Sequence, residues 1–116
     1  EKLLFTGDTL FSLGCGKIFE GTYEQMFNSL KKIKALPLDT KIFCGHEYTL
    51  NNSKFCIKYD NENLSLQKKI QDIEIKLNDS LPTIPSTLKE EMDCNIFLRA
   101  KDVKTFSKLR DLKDNF

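Results

Sequence analysis

Two short segments of the sequence carry side chains that bind metal ions in many enzymes: Asp8 in Thr6-Gly7-Asp8-Thr9 and His46 in Cys44-Gly45-His46-Glu47. A carboxylate can bridge two divalent cations, and a neutral imidazole binds zinc or iron. Alone they are too few, because a catalytic zinc takes about three protein ligands and a water. The chain has one histidine. The two residues by themselves therefore leave a second interpretation open, a turn-forming aspartate and a capping or core histidine.

Each candidate ligand follows a short apolar run that ends in glycine. Leu3 to Phe5 and Lys41 to Cys44 have the composition of short buried strands. Between them, Thr22 and Gln25 have the spacing of a capping box, and the helix that they begin is stopped by Pro37. The order strand, loop, helix, strand places both candidate ligands at strand ends.

From residue 48 onward the pattern is helical. We expect helices capped by Thr49, by Asn63 and by Thr87, whose partner in a second capping box is Glu90. A proline-stiffened extended segment covers residues 81–85, and a last helix is predicted from Val103 to Lys113. The sequence thus predicts two domains, residues 1–47 with mixed structure and residues 48–116 with helices alone.

Composition excludes some classes of function. The 116 residues have 18 Lys and Arg against 17 Asp and Glu, so no overall positive field draws the chain to nucleic acid. No apolar run is long enough to span a bilayer. Four scattered cysteines suit a reducing compartment, which favours the cytoplasm and leaves an organelle open. Because residue 1 is Glu and leads directly into an apolar run, we expect upstream sequence to be missing.

The sequence around the candidate ligands closely resembles the sequences of one protein family. Thr6-Gly7-Asp8-Thr9-Leu10-Phe11, Gly14-Cys15-Gly16-Lys17 and Cys44-Gly45-His46-Glu47-Tyr48-Thr49 occur in this order, and the likeness continues to Phe116. The chain resembles the C-terminal half of glyoxalase II, a family of the metallo-β-lactamase superfamily. The resemblance implies an α+β protein in which residues 1–47 complete an αββα sandwich and residues 48–116 form an all-α, glutathione-binding domain.

The resemblance also implies a reaction. Family members hydrolyse the thioester S-D-lactoylglutathione to D-lactate and glutathione with a metal-bound hydroxide. Asp8 matches the aspartate that bridges two divalent ions, zinc or else iron or manganese, and His46 matches the last histidine ligand. The remaining ligands, including a His-x-His-x-Asp-His motif, belong to a half that this chain does not contain. We therefore expect the chain alone to be inactive, to bind metal weakly and to self-associate through uncovered apolar faces.

Glutathione is anionic, and cations are expected to bind it. Arg110 and Lys113 are spaced i, i+3 and so share a helix face, which from the residues alone can equally be a solvated helix end. In the family they match a basic pair that binds glutathione, and the other matched substrate contacts are Lys17, Tyr48 and Asn52. Phe19 stands where many members have a tyrosine, so one hydrogen bond worth roughly 0.5–1.5 kcal/mol is lost. The resemblance assigns Cys15 and Cys44 to packing.

Two alternatives stay open. One is a short protein that binds glutathione without catalysis, against which the missing initiator methionine argues. The other is a different member of the superfamily, such as a persulfide dioxygenase with a single iron, against which the helical tail carrying Arg110 and Lys113 argues.

Overall fold

The computed structural model describes residues 2–7, 9–16 and 22–116. Three predicted site residues, Asp8, Lys17 and Phe19, lie outside the described residues. The described part is a mixed α/β structure with five helices and five short strands. In chain order these are β1 (Leu3–Gly7), β2 (Leu10–Phe11), β3 (Gly14–Cys15), α1 (Tyr23–Lys34), β4 (Lys41–Cys44), α2 (Thr49–Tyr59), α3 (Leu64–Asn78), β5 (Ser86–Thr87), α4 (Leu88–Cys94) and α5 (Val103–Asp114).

One sheet brings distant parts of the sequence together in the order β1-β4-β5. The strands β1 and β4 are parallel, with Leu4 opposite Ile42, and α1 forms the crossover between them. The strand β5 is antiparallel to β4, with Ser86 opposite Ile42. The expectation of helices alone after residue 48 is therefore wrong at β5. The extended segment before α4 pairs with the edge of β4 and so becomes a strand.

A second small sheet is the hairpin of β2 and β3, in which Leu10 pairs with Cys15 and Phe11 with Gly14. Its turn places Leu13 at φ 62°, a left-handed conformation that non-glycine residues seldom adopt. This hairpin was not predicted from the sequence, because two residues per strand are too few to show a periodic pattern.

The helix starts follow the predicted capping residues with one exception. Thr22 and Thr87 each form a complete capping box, and the Asn63 side chain accepts a hydrogen bond from the Leu66 backbone N–H. These predictions are confirmed. The predicted Thr49 cap is wrong: α2 begins at Thr49, with Tyr48 in the capping position and no side-chain cap.

Thr49 and the last predicted helix lie at the two ends of the helical region. Thr49 is the first residue inside α2 and not the residue before it, and its hydroxyl lies 2.6 Å from the hydroxyl of buried Thr83. The helix α5 covers the predicted last helix and extends it by one residue.

A single apolar cluster runs through both predicted domains. It joins Leu10 and Leu30 to Phe55, Phe97 and Phe106, all of them buried. The helices α1 and α5 pack against each other, and the rings of Phe27 and Phe106 lie 5.8 Å apart. The described residues on either side of residue 48 therefore share one core, and the two-domain division stays a prediction.

The opposite face of the sheet is open. Phe5 is 73% exposed and stacks on the Phe43 ring at 5.2 Å, and Leu3 on the same strand is also exposed. In the described part of the chain, no helix has the length and apolar character needed to cross a membrane.

Candidate active site

The two strand ends that precede the candidate metal ligands are in direct contact. The Gly45 backbone N–H donates to the Gly7 carbonyl oxygen at 2.7 Å, which continues the parallel ladder of β1 and β4 by one bond. Gly7 adopts φ 52°, and a side chain there would be strained. In the sequence, Asp8 and His46 are the residues that come directly after this hydrogen-bonded pair.

Aromatic rings surround His46, an exposed residue. Its imidazole stacks on the Tyr48 ring with centroids 4.8 Å apart and planes 1° from parallel. The Phe11 ring lies edge-on to both, at 6.1 Å from His46 and 5.1 Å from Tyr48. Stacking of this kind restricts the rotation of the imidazole. Tyr48 itself remains half-exposed beside it, open to a bound molecule.

The turn that carries His46 is fixed from two sides. Cys44 Sγ donates to the His46 carbonyl oxygen at 3.2 Å, and burial raises the pKa of the Cys44 thiol. On the other side, the Glu47 carboxylate accepts hydrogen bonds from the Thr83 backbone N–H, at 2.8 Å, and from its hydroxyl.

The described residues do not fit a complete metal site. Within residues 2–7, 9–16 and 22–116, no three His, Cys, Asp or Glu side chains lie close enough together to hold an ion. A metal ion at the predicted ligand His46 would need further ligands from outside this set.

One six-residue segment, Phe11–Gly16, contacts four of the described candidate residues; we call it the hairpin segment. Its Phe11 packs on His46 and Tyr48, as described above. Asn52 is buried, and its Nδ2 donates to the Ser12 carbonyl oxygen at 3.2 Å. A Cβ atom on Gly14 would lie 2.6 Å from that same Nδ2 atom, so only glycine fits against Asn52.

Arg110 binds the far end of the hairpin segment. Its Nη1 donates to the carbonyl oxygens of Cys15 at 2.7 Å and Gly16 at 3.3 Å, while Nε and Nη2 donate to Asp114. The guanidinium also lies over the Phe97 ring, and the residue is only 5% exposed. Arg110 therefore directs its donors to the backbone just before Lys17.

Lys113 differs from Arg110 in its surroundings. It is half-buried, and its ammonium group lies 5.9 Å from the centre of the Phe55 ring and 5.6 Å from that of Phe116. Burial lowers the pKa of Lys113, and the Arg110 charge lowers it further. A cation held where its charge is disfavoured is a candidate for binding an anion.

Two residues that sequence reasoning missed, Glu91 and Asn95, also bind the hairpin segment. Both are fully buried in or directly after α4. The sequence did contain a signal for them. Glu91 and Asn95 are spaced i, i+4, which places both on one helix face next to the apolar side chains of Leu88 and Cys94.

Comparisons with known proteins point to one family. A family model described as hydroxyacylglutathione hydrolase C-terminus matches residues 47–116. The hydroxyacylglutathione hydrolase of Pelagibacter ubique (strain HTCC1062) is 70% identical over 116 residues, which are 100% of this chain and 48% of that protein. Proteins of the same name are similar at 51% identity in Prochlorococcus marinus (strain MIT 9301; 98% of this chain, 46% of the relative) and at 42% in Bartonella quintana (100% and 51%). The chain spans about half the length of the curated relatives it matches.

Proposed function

Because the chain belongs to the hydroxyacylglutathione hydrolase family, we propose that it is the C-terminal part of an enzyme that hydrolyses S-D-lactoylglutathione to D-lactate and glutathione. The observation that carries the proposal is the hydrogen bond between Gly45 and Gly7, which joins the strand ends before His46 and Asp8. In the proposed enzyme the rest of the metal site and the reacting groups come from the half of the relatives that this chain does not match.

The open sheet face supports the proposed domain arrangement. Residues 1–47 would complete an αββα sandwich, whose other half would cover Phe5, Phe43 and Leu3. An exposed apolar face of this kind is unusual for an isolated domain and is expected to be covered by a partner. Residues 48–116 would form the glutathione-binding region, in keeping with a family model that begins at residue 47. Where the face stays uncovered, self-association is the expected result.

We assign Asp8 and His46 to a pair of divalent metal ions, zinc or else iron or manganese. When bound, such ions lower the pKa of water and stabilise developing negative charge. The role of the present chain is to hold the His46 imidazole at a fixed angle, which the stacked Tyr48 ring and the edge of Phe11 support. The Glu47 contact to Thr83 keeps the turn in place.

The proposed glutathione site divides its residues into two groups. Tyr48 and Lys113 are exposed enough to touch the substrate, and Lys113 supplies a positive charge for a carboxylate. Asn52 and Arg110 are buried, so we propose that they shape the site by holding the hairpin segment. Lys17 and Phe19 complete the proposed set.

All four cysteines carry free thiols, which suits a reducing compartment, and we propose a cytoplasmic location for the enzyme. The reaction needs no nucleic acid or membrane, and its partners would be the thioester and the remaining half of the protein.

The function can be tested in a hybrid enzyme. This chain would replace the 116-residue segment that it matches in the Pelagibacter ubique relative, and the hybrid would be assayed for release of glutathione from S-D-lactoylglutathione. We expect hydrolysis at a rate within tenfold of the relative. His46→Ala should abolish it, whereas Lys89→Ala, an exposed lysine paired with Asp93 on α4, should leave it unchanged.

Three outcomes would contradict the proposal. A folded hybrid that does not cleave the thioester would refute it directly. Oxygen uptake with glutathione persulfide, in place of thioester cleavage, would favour a persulfide dioxygenase. Tight glutathione binding by the isolated chain, with an inactive hybrid, would favour a non-catalytic binding protein.

A further inference from the structure

Glu91 binds the turn of the hairpin segment from the opposite end of the sequence. Its Oε1 accepts a hydrogen bond from the Leu13 backbone N–H at 2.8 Å, and its Oε2 accepts one from the Ser12 hydroxyl at 3.1 Å. The side chain has no exposed surface. A carboxylate is seldom buried without a specific purpose, because removing its charge from water is costly unless hydrogen bonds replace the solvent.

Asn95, four residues later, completes the contact. Its Nδ2 donates to the carbonyl oxygens of Phe11 at 3.2 Å and Gly14 at 3.0 Å, and also to Glu91 Oε1 at 3.1 Å. Glu91 thus accepts hydrogen bonds from Ser12 and Leu13 in the turn, while Asn95 donates hydrogen bonds to Phe11 and Gly14 on either side of it. Together they pair with polar groups of four consecutive residues.

The turn needs such support because its backbone is strained. Leu13 sits at φ 62°, which costs on the order of a hydrogen bond for a leucine and persists only where neighbours enforce it. Burial raises the pKa of Glu91, and hydrogen bonds from Leu13, Ser86 and Asn95 oppose that rise. Among the described residues, every donor that contacts the carboxylate is neutral.

The position of the turn connects these contacts to the proposed site. Phe11 at one end packs on His46 and Tyr48, and Gly16 at the other end leads into Lys17. A shift of the turn would therefore move the ring that holds Tyr48 and the start of the segment that carries Lys17.

We propose that Glu91 is a positioning residue for the glutathione site: it fixes the hairpin segment and thereby the Phe11 ring that packs on His46 and Tyr48. The inference rests on the proposed function. It predicts that the hydrogen-bonding ability of Glu91 matters more than its charge. Gln can keep the essential contacts, because its amide oxygen accepts from Leu13 and its amide nitrogen donates to the Ser12 hydroxyl.

The test compares three variants in the hybrid enzyme. Glu91→Met keeps the length of the side chain and removes its polar atoms, and Glu91→Gln keeps the polar atoms. Ile73→Ala removes buried apolar volume from α3, a different helix from the one that carries Glu91. We expect Glu91→Met to raise KM about fivefold or more and to lower kcat by a smaller factor, because the hairpin segment contacts Tyr48 and the buried site residues but also packs Phe11 on His46. Glu91→Gln and Ile73→Ala should keep KM within about twofold of the parent.

An equal rise of KM in Glu91→Met and Ile73→Ala would overturn the proposal, since it would mean a general loss of stability. An unchanged KM in a folded Glu91→Met hybrid would overturn it as well. Should Glu91→Met fail to fold, Ser12→Ala removes a single donor to the carboxylate and should still raise KM by about fourfold or more; a KM within about twofold of the parent would refute the proposal.

Hydrogen exchange of this 116-residue chain separates the inference from the proposed function. The Leu13 amide should exchange at least tenfold faster in Glu91→Met than in Glu91→Gln, while amides of α3 exchange alike. An inactive parent hybrid would refute the proposed function and the role in substrate binding. Equal Leu13 exchange in the two variants would refute the anchoring of the turn itself.

Discussion

Replacing Gly14 by alanine tests the packing of the hairpin segment most directly. The new methyl group would lie 2.6 Å from Nδ2 and 2.8 Å from Cγ of Asn52, closer than Cβ atoms in proteins approach their neighbours. Asn52 is buried and cannot move into solvent without giving up its bond to the Ser12 carbonyl. Overpacking costs about 1–3 kcal/mol, and the lost hydrogen bond adds roughly 1 kcal/mol. Gly14→Ala should therefore lower the free energy of unfolding by about 2–4 kcal/mol.

The companion variant shows whether the clash is the cause. Asn52→Ala alone should cost about 1–3 kcal/mol, because it leaves the Ser12 carbonyl without its donor. In the double variant, the methyl group introduced by Gly14→Ala enters the space that the Asn52 amide vacates. Its cost should be close to that of Asn52→Ala alone, which gives a coupling energy equal in size to the cost of Gly14→Ala, about 2–4 kcal/mol.

Urea unfolding of the parent, the two single variants and the double variant, followed by circular dichroism, measures this coupling. The slopes of the unfolding curves should agree, so that midpoints report stability alone. Costs that add to within about 0.5 kcal/mol would refute the reasoning, because two atoms that exclude each other must couple.

Three further predictions follow from the helical region. Lys113→Met should leave the free energy of unfolding at neutral pH unchanged or higher, because burial and the Arg110 charge disfavour the Lys113 ammonium. In the parent, stability should rise with pH between the lowered pKa of Lys113 in the folded chain and its ordinary value of 10.5, and the variant should lose this rise. A clear loss of stability in urea would contradict this. Arg110→Lys should cost about 1–3 kcal/mol, because one ammonium cannot reproduce the paired bonds to Cys15 and Gly16; a cost under about 0.5 kcal/mol would show that the guanidinium does not anchor the segment. Thr87→Ala should cost about 1 kcal/mol through loss of the α4 capping box, measured as a lower melting temperature, and no change would deny the cap its role.

The capping residues were predictable from sequence because a cap involves neighbours only. Thr22 and Asn63 begin their helices as expected. Thr49 is not the cap because α2 begins one residue earlier than expected and includes Thr49, whose hydroxyl contacts Thr83, a residue that no local pattern brings near. The strand β5 was missed because its partner β4 lies about 45 residues earlier, beyond the reach of any local pattern.

The candidate site was predictable to a similar degree. The strand ends before Asp8 and His46 could be placed together from the strand-loop-helix-strand pattern. Arg110 and Lys113 share a helix face as expected, but the spacing does not reveal which of the two is buried. That difference depends on how α5 rotates against Phe97 and the hairpin segment, which is set by the whole core.

The long-range contacts of the hairpin segment also have a consequence for the order of synthesis. The bonds from Arg110 to Cys15 and from Glu91 to Leu13 join residues separated by 95 and 78 positions. A ribosome makes the hairpin well before the groups that hold it. The left-handed turn at Leu13 cannot become stable until those later groups have been released, so loop closure over these distances is expected to limit the folding rate. An incomplete nascent chain would thus carry His46, Tyr48 and Asn52 before the groups that hold the hairpin segment against them exist.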